Sequence, residues 1–169
     1  MMVFSGIIGV TLMLSLACGG AAPPAATVRP PAATTPPVAA TQPPAAVACA
    51  ADAMLIGPVG ETLKFDKEKL TAKAGSAVTV CFKNTSAVNQ HNWVLVKQGT
   101  KDTVSAAGIT AAATGYVPAS PDVLAKTALV NTGQNGEAKF TVPAAGKYQY
   151  VCTFPGHNAT MFGEFEATP

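Results

Sequence analysis

A thiol, an imidazole and a thioether fall within ten residues of one another in Cys152-Thr153-Phe154-Pro155-Gly156-His157-Asn158-Ala159-Thr160-Met161, and a second imidazole stands at His91. Together these donors suit the task of holding a redox-active copper ion. Thiolate and thioether favour Cu(I), and imidazole binds both oxidation states. Two His and one Cys in a trigonal plane with a long, weak axial Met accept either state with little rearrangement. The predicted ligand set is therefore His91, Cys152, His157 and Met161, around one copper ion that cycles between Cu(I) and Cu(II). His91 and His157 are the only histidines, and beyond the first 13 residues Met54 and Met161 are the only methionines. No donors remain for a second metal or an open catalytic position, so an enzyme is not expected.

Two other chemistries use the same residue types. Cys152 and His157 resemble a thiol nucleophile with its base, but no third orienting group accompanies them. Zinc also takes Cys and His, yet a thioether is a poor fourth ligand for it. Copper is the reading that uses all four donors.

The elements that must position these residues are strands. From Ala50 onward, short apolar or alternating runs separated by Gly, Pro and Asn predict an all-β sandwich or barrel. Ala77–Phe82, Trp93–Val96, Glu137–Val142, Lys147–Cys152 and Gly163–Glu166 read as strands, with Asn135-Gly136 as a turn dipeptide. Cys152 then ends one strand, and Pro155-Gly156 turns a tight loop that brings His157 and Met161 round the same ion. His91 must come from another strand, so the site closes only once the sandwich forms. The stretch from 99 to 126 is rich in Ala and holds Pro118 and Pro121. It predicts a short helical flap or an irregular excursion.

Gln90-His91-Asn92-Trp93-Val94-Leu95-Val96 together with the Cys152–Met161 loop resembles the cupredoxins, in particular the azurins and, most closely, the auracyanins. The similarity runs from about residue 63 to 167. It implies an eight-stranded Greek-key β-sandwich with a type 1 (blue) copper site at one end. His91, Cys152 and His157 would be the equatorial ligands and Met161 the axial one. The Cys-to-His-to-Met spacing is that of azurin, whereas auracyanin loops have one residue more before Met. Gln90 stands where azurin has Gly, as in auracyanins, and its carbonyl would be a weak fifth contact. Asn92 is placed to hydrogen-bond to the ligand loop or the cysteine sulfur. Phe154, Pro155, Ala159 and Phe162 would form an apolar docking patch around His157.

The remaining sequence concerns location. Residues 1–17 contain an apolar run with no preceding Lys or Arg, followed by Leu14-Ser15-Leu16-Ala17-Cys18, and read as a lipoprotein-type signal with Cys18 as the lipidated residue. Residues 18–46 hold repeated Pro pairs among Ala and Thr, and Arg29 is their only charge. They predict a disordered, extended tether with a reach on the order of 80 Å. The copper domain would then occupy residues 47–169. In an exported protein Cys49 and Cys81 are left as a candidate disulfide once Cys18 and Cys152 are assigned.

Ten lysines and nine carboxylates lie between Asp52 and Glu166 and alternate along the chain, which gives no basis for nucleic-acid binding. The resulting expectation is a monomeric electron carrier, exported and held by lipid at the outer, periplasmic face of the cell membrane. An auracyanin-like role would put it between a quinol-oxidising complex and a c-type cytochrome. The alternative is a copper-delivery protein of the envelope on the same fold.

Overall fold

The computed structural model describes residues 47–169, so the predicted signal, Cys18 and the proline-rich tether lie outside the described residues. The strands are β1 (Met54–Ile56), β2 (Lys69–Lys73), β3 (Ala77–Lys83), β4 (Val94–Lys97), β5 (Val123–Lys126), β6 (Asn135–Thr141), β7 (Gly146–Val151) and β8 (Phe162–Thr168). Between β4 and β5 run one helix, α1 (Lys101–Gly108), and a 3-10 turn at Ala112–Thr114.

Three strands in the order β1-β3-β6 make one sheet, and five in the order β2-β8-β7-β4-β5 make the other. Two pairs are parallel, β1 with β3 and β2 with β8, and the rest are antiparallel. This is the two-layer sandwich that the alternating runs imply. In β8 the alternation is clean: Gly163, Phe165 and Ala167 are buried, while Phe162 and Glu164 are exposed. Between the layers pack Ile56, Val80, Phe82 and Ala138 from one side and Leu70, Leu95, Tyr150 and Phe165 from the other. Trp93 stacks between Phe140 and Tyr150 at centroid distances of 6.0 and 5.8 Å.

The 99–126 stretch turns out to be both flap and strand. Its first part forms α1, which together with Val117 covers the outer face of the five-stranded sheet. Val94, Val96 and Val151 are buried there against Val104 and Val117. Consequently β4 has no wet face, and Val94, Leu95 and Val96 are all buried. Such a strand shows no period-2 pattern. The last four residues form β5, which pairs with β4 and was not visible among the alanines.

One turn is corrected. Asn135 and Gly136 belong to β6, paired with Lys83 and Phe82. The chain reverses earlier, around Gly133, whose φ is +70°. Gly136 is required there by close approach, because a Cβ would sit 2.6 Å from a Val130 methyl. Cys49 and Cys81 are joined by a disulfide with Cα atoms 5.6 Å apart, tying the segment before β1 to the middle of β3. That segment is also held to β6 by two bonds: Ala50 N–H donates to Glu137 Oε1, and Asn135 Nδ2 donates to the Val47 carbonyl.

Candidate metal centre

β4 and β7 lie side by side with Val94 opposite Val151, so the residues just outside their paired ends are neighbours. Cys152 follows β7 directly, and His91 precedes β4 by three residues. His91 is held in place by an exchange of backbone bonds with Val130: its N–H donates to the Val130 carbonyl and its carbonyl accepts from the Val130 N–H. The loop after Cys152 winds tightly. His157 N–H donates to the Phe154 carbonyl, Met161 N–H donates to the His157 carbonyl, and the Met161 carbonyl accepts from Cys152 N–H. One turn of chain therefore fixes three donors.

His91 Nδ1 lies 3.7 Å and His157 Nδ1 3.5 Å from Cys152 Sγ, and the two nitrogens are 3.1 Å apart. The point equidistant from the corners of that triangle lies about 2 Å from each, the bond length first-row metals make with nitrogen and somewhat short of that to sulfur. Among the described residues this is the one cluster of His, Cys and carboxylate donors that converges on a common point. Met161 is fully buried beside it, with its backbone bonded to both His157 and Cys152. The donors are soft and mixed, two imidazoles, one thiol and one thioether, and fit copper better than zinc or a hard cation. No carboxylate takes part.

Burial sets the protonation of the donor groups. It pulls His91 down to about 4, helped by neighbouring His157 and opposed by Glu61, and it holds His157 below its ordinary value. Burial pushes the Cys152 thiol up to about 11, against the backbone N–H groups of Asn92 and Phe154, which hydrogen-bond to the sulfur and favour the thiolate. Around neutral pH the imidazoles present free lone pairs, and only the thiol proton must leave when a cation enters. Of the four donors, Cys152 and Met161 are wholly inaccessible and His91 is 1% exposed, whereas His157 is 6% exposed. A metal held by these donors would meet the outside through the His157 edge.

Asn92 is completely buried and ties three segments together. Its Oδ1 accepts from Thr153 N–H at 2.8 Å, and its Nδ2 donates to Thr153 Oγ1 and to the Gly115 carbonyl, both at 2.9 Å. The expected link to the ligand loop is thus made by the side chain, and the link to sulfur by the backbone. The Gln90 side chain donates to Asn131 Oδ1. Of the expected docking patch, Phe154 touches His157, with ring centroids 4.8 Å apart. Phe162, 40% exposed, carries the Lys101 ammonium 4.5 Å over its ring.

Sequence reading missed the supports of His91. The buried Asn84 donates through Nδ2 to the carbonyls of Asn89 and Val130, while its Oδ1 accepts from Ser86 N–H. Glu61, from the loop after β1, accepts from the Ser86 hydroxyl and the Ala87 N–H, both at 2.7 Å. Nothing in the local sequence links residue 61 with 86. The earliest available sign was a cluster of polar residues, Asn84 to Gln90, just ahead of a buried His.

Comparison with known proteins agrees with this geometry. The family model for copper binding proteins of the plastocyanin/azurin family matches residues 52–167. Auracyanin-A of Chloroflexus aurantiacus is 48% identical over 113 residues, which is 64% of this chain and 70% of that protein. Outer membrane protein H.8 of Neisseria meningitidis is 37% identical over 107 residues, 58% of this chain and 57% of that protein. Among solved structures, auracyanin A, described as a "blue" copper protein of the same Chloroflexus species, superposes with a TM-score of 0.66 at 45% identity, over 69% of this chain and 98% of that one.

Proposed function

Since the chain belongs to the plastocyanin/azurin family of copper-binding proteins and carries that family's His-Cys-His-Met site, we propose that it is a type 1 copper protein that carries single electrons between redox partners. The observation that carries this reading is the buried triangle of His91, Cys152 and His157, with donor separations of 3.1 to 3.7 Å. Bound copper supplies the one-electron couple. The protein's part is to hold the donors where neither oxidation state requires them to move, to exclude water, and to leave one imidazole edge near the surface.

The donors support this role over copper delivery. A protein that hands copper on needs accessible donors to exchange, and here Cys152 and Met161 are sealed and His91 nearly so. The Gln90 carbonyl, one residue before His91, is proposed as a weak fifth contact.

The finer parts of the reading rest on sequence. Cys18 would be lipidated after removal of residues 1–17, and residues 18–46 would tether the copper domain to the outer, periplasmic face of the cell membrane. The similarity to the Neisseria relative, Outer membrane protein H.8, supports an envelope location. The domain would act as a monomer, taking electrons from a quinol-oxidising complex and passing them to a c-type cytochrome through the His157 edge. The mass of the mature N-terminus tests the anchor.

The copper assignment is tested by colour. Oxidised, copper-loaded protein should show an intense visible thiolate-to-copper absorption that disappears in Cys152→Ser. A colourless Cu(II) protein would sink the type 1 reading.

A further inference from the structure

The segment that follows α1 makes a bend used by none of the roles above. Gly115 and Tyr116 both adopt left-handed backbone conformations, with φ of 71° and 64°, and Tyr116 is the only non-glycine with positive φ among the described residues. A bulky side chain held there is strained, and strain of this kind persists only where the surroundings enforce it. The enforcing contact is visible. The Tyr116 carbonyl sits so close to Gly108 that a Cβ on Gly108 would lie 2.3 Å from its oxygen. Tyr116 N–H is in turn held by the Ala111 carbonyl at 2.9 Å.

Both residues of the bend point at the metal centre. The Gly115 carbonyl accepts from Asn92, whose remaining bonds hold Thr153 beside the ligand Cys152. The Tyr116 ring packs edge-on against Phe154, with centroids 5.2 Å apart and planes at 75°. The Phe154 ring in turn lies against the His157 imidazole at 4.8 Å. A third tie comes from the first turn of α1, where Asp102 Oδ1 accepts from Asn158 Nδ2 at 3.0 Å.

Resting on the copper electron-carrier reading, we propose that Tyr116 is a positioning residue that acts through Phe154 to hold the His157 imidazole still, so that the flap fixes the one ligand nearest the surface. His91 is gripped by backbone pairing and a buried Asn, and Cys152 by the sheet and two N–H groups. His157 lies in a loop whose neighbours Pro155 and Gly156 are exposed, and its ring meets the fellow ligand His91 and, as its one aromatic support that is not a ligand, Phe154, each at a centroid distance of 4.8 Å. A ring free to tilt would have to be reoriented at each change of copper oxidation state. The strained bend prevents this by placing an aromatic buttress behind Phe154.

The test uses copper-loaded full-length protein with Tyr116→Leu and Tyr116→Phe, read by visible absorption, the copper hyperfine splitting in electron paramagnetic resonance, and electron self-exchange. Tyr116→Leu is expected to stay blue, alter the hyperfine splitting and slow self-exchange by about tenfold, the lower range for loss of a supporting group behind a ligand. Tyr116→Phe, which keeps the ring, should restore both. If Tyr116→Leu fails to fold, Phe154→Leu removes the middle ring and carries the same expectation. A blue Tyr116→Leu protein with unchanged splitting and exchange overturns the proposal, whatever its stability, and so does a Tyr116→Phe protein as altered as Tyr116→Leu. A colourless wild-type protein would instead defeat the copper reading beneath it.

Discussion

Replacing Asn92 by Ala should loosen the metal end although Asn92 is not itself a ligand. The side chain is fully buried and makes three hydrogen bonds at 2.8 to 2.9 Å. Without it, Thr153 N–H is left buried with no partner, at a cost of about 1–3 kcal/mol. The Gly115 carbonyl is only part-buried and can turn to water, losing about 1 kcal/mol, and the Thr153 hydroxyl, which accepts from Asn92 Nδ2, loses that donor at about 0.5 kcal/mol. The sum is about 2.5–4.5 kcal/mol, a large fraction of the roughly 5–15 kcal/mol by which a domain of this size is stable.

In urea unfolding of the metal-free protein, with a slope of about 2 kcal/mol per molar, the midpoint should fall by about 1.2–2.2 M at constant slope. Copper affinity should fall about 10–100-fold as the ligand loop loses its tie to the His91 segment. The backbone N–H of residue 92 still reaches the sulfur, so the copper-loaded variant should stay blue. A midpoint shift below about 0.3 M, or a loss of colour at full copper loading, would refute this division of labour between side chain and backbone.

Other predictions rest on separate features. Cys49→Ser with Cys81→Ser opens a cross-link spanning 32 residues, which by loop-closure entropy should cost about 3–4 kcal/mol and lower the Tm by on the order of 10 °C without changing the visible spectrum. Scanning calorimetry and absorption of the same sample check both halves. Met161→Leu should leave copper bound and raise the reduction potential, because a site left with only three donors suits Cu(I) better than Cu(II), which loses more when even a weak axial donor goes; voltammetry reads the sign, and an unchanged potential counts against axial ligation. The Cys152 thiol is held near 11 and the imidazoles below their ordinary values. Copper should therefore displace one proton per ion above about pH 7, its apparent affinity rising about tenfold per pH unit. The dependence should steepen on acidification toward pH 4, where protons also compete for His91. Calorimetric titration in buffers of differing ionisation enthalpy counts the protons.

The ligands were legible in the sequence because three of them share one loop and the fourth is one of only two histidines. Their donor types alone narrow the metal. Strands with one wet face, such as β8, declared themselves by alternation. Buried β4 was found from its apolar run, but β5 was hidden because its residues, Val-Leu-Ala-Lys, follow an Ala-rich flap and owe their conformation to pairing with β4. The Asn135-Gly136 turn signal failed because Gly136 serves close packing against Val130 rather than backbone reversal. The Glu61–Ser86 and Tyr116–Phe154 contacts join residues 25 and 38 positions apart, and such pairings exist only once the sheets have closed.

The chain enters and leaves the sandwich at opposite poles. Val47 is fastened to Asn135 and lines a hollow with Ala128, Leu129 and Val130, on the side where Val130 pairs with His91. β8 starts next to Met161 and runs seven residues away, about 20 Å, to Thr168 beside Lys73. Immobilisation on an electrode is thereby asymmetric. A surface linker at Pro169 would present the blue pole outward for solution partners. One attached at Val47 itself would hold that pole toward the surface, and the two orientations should differ in interfacial electron-transfer rate.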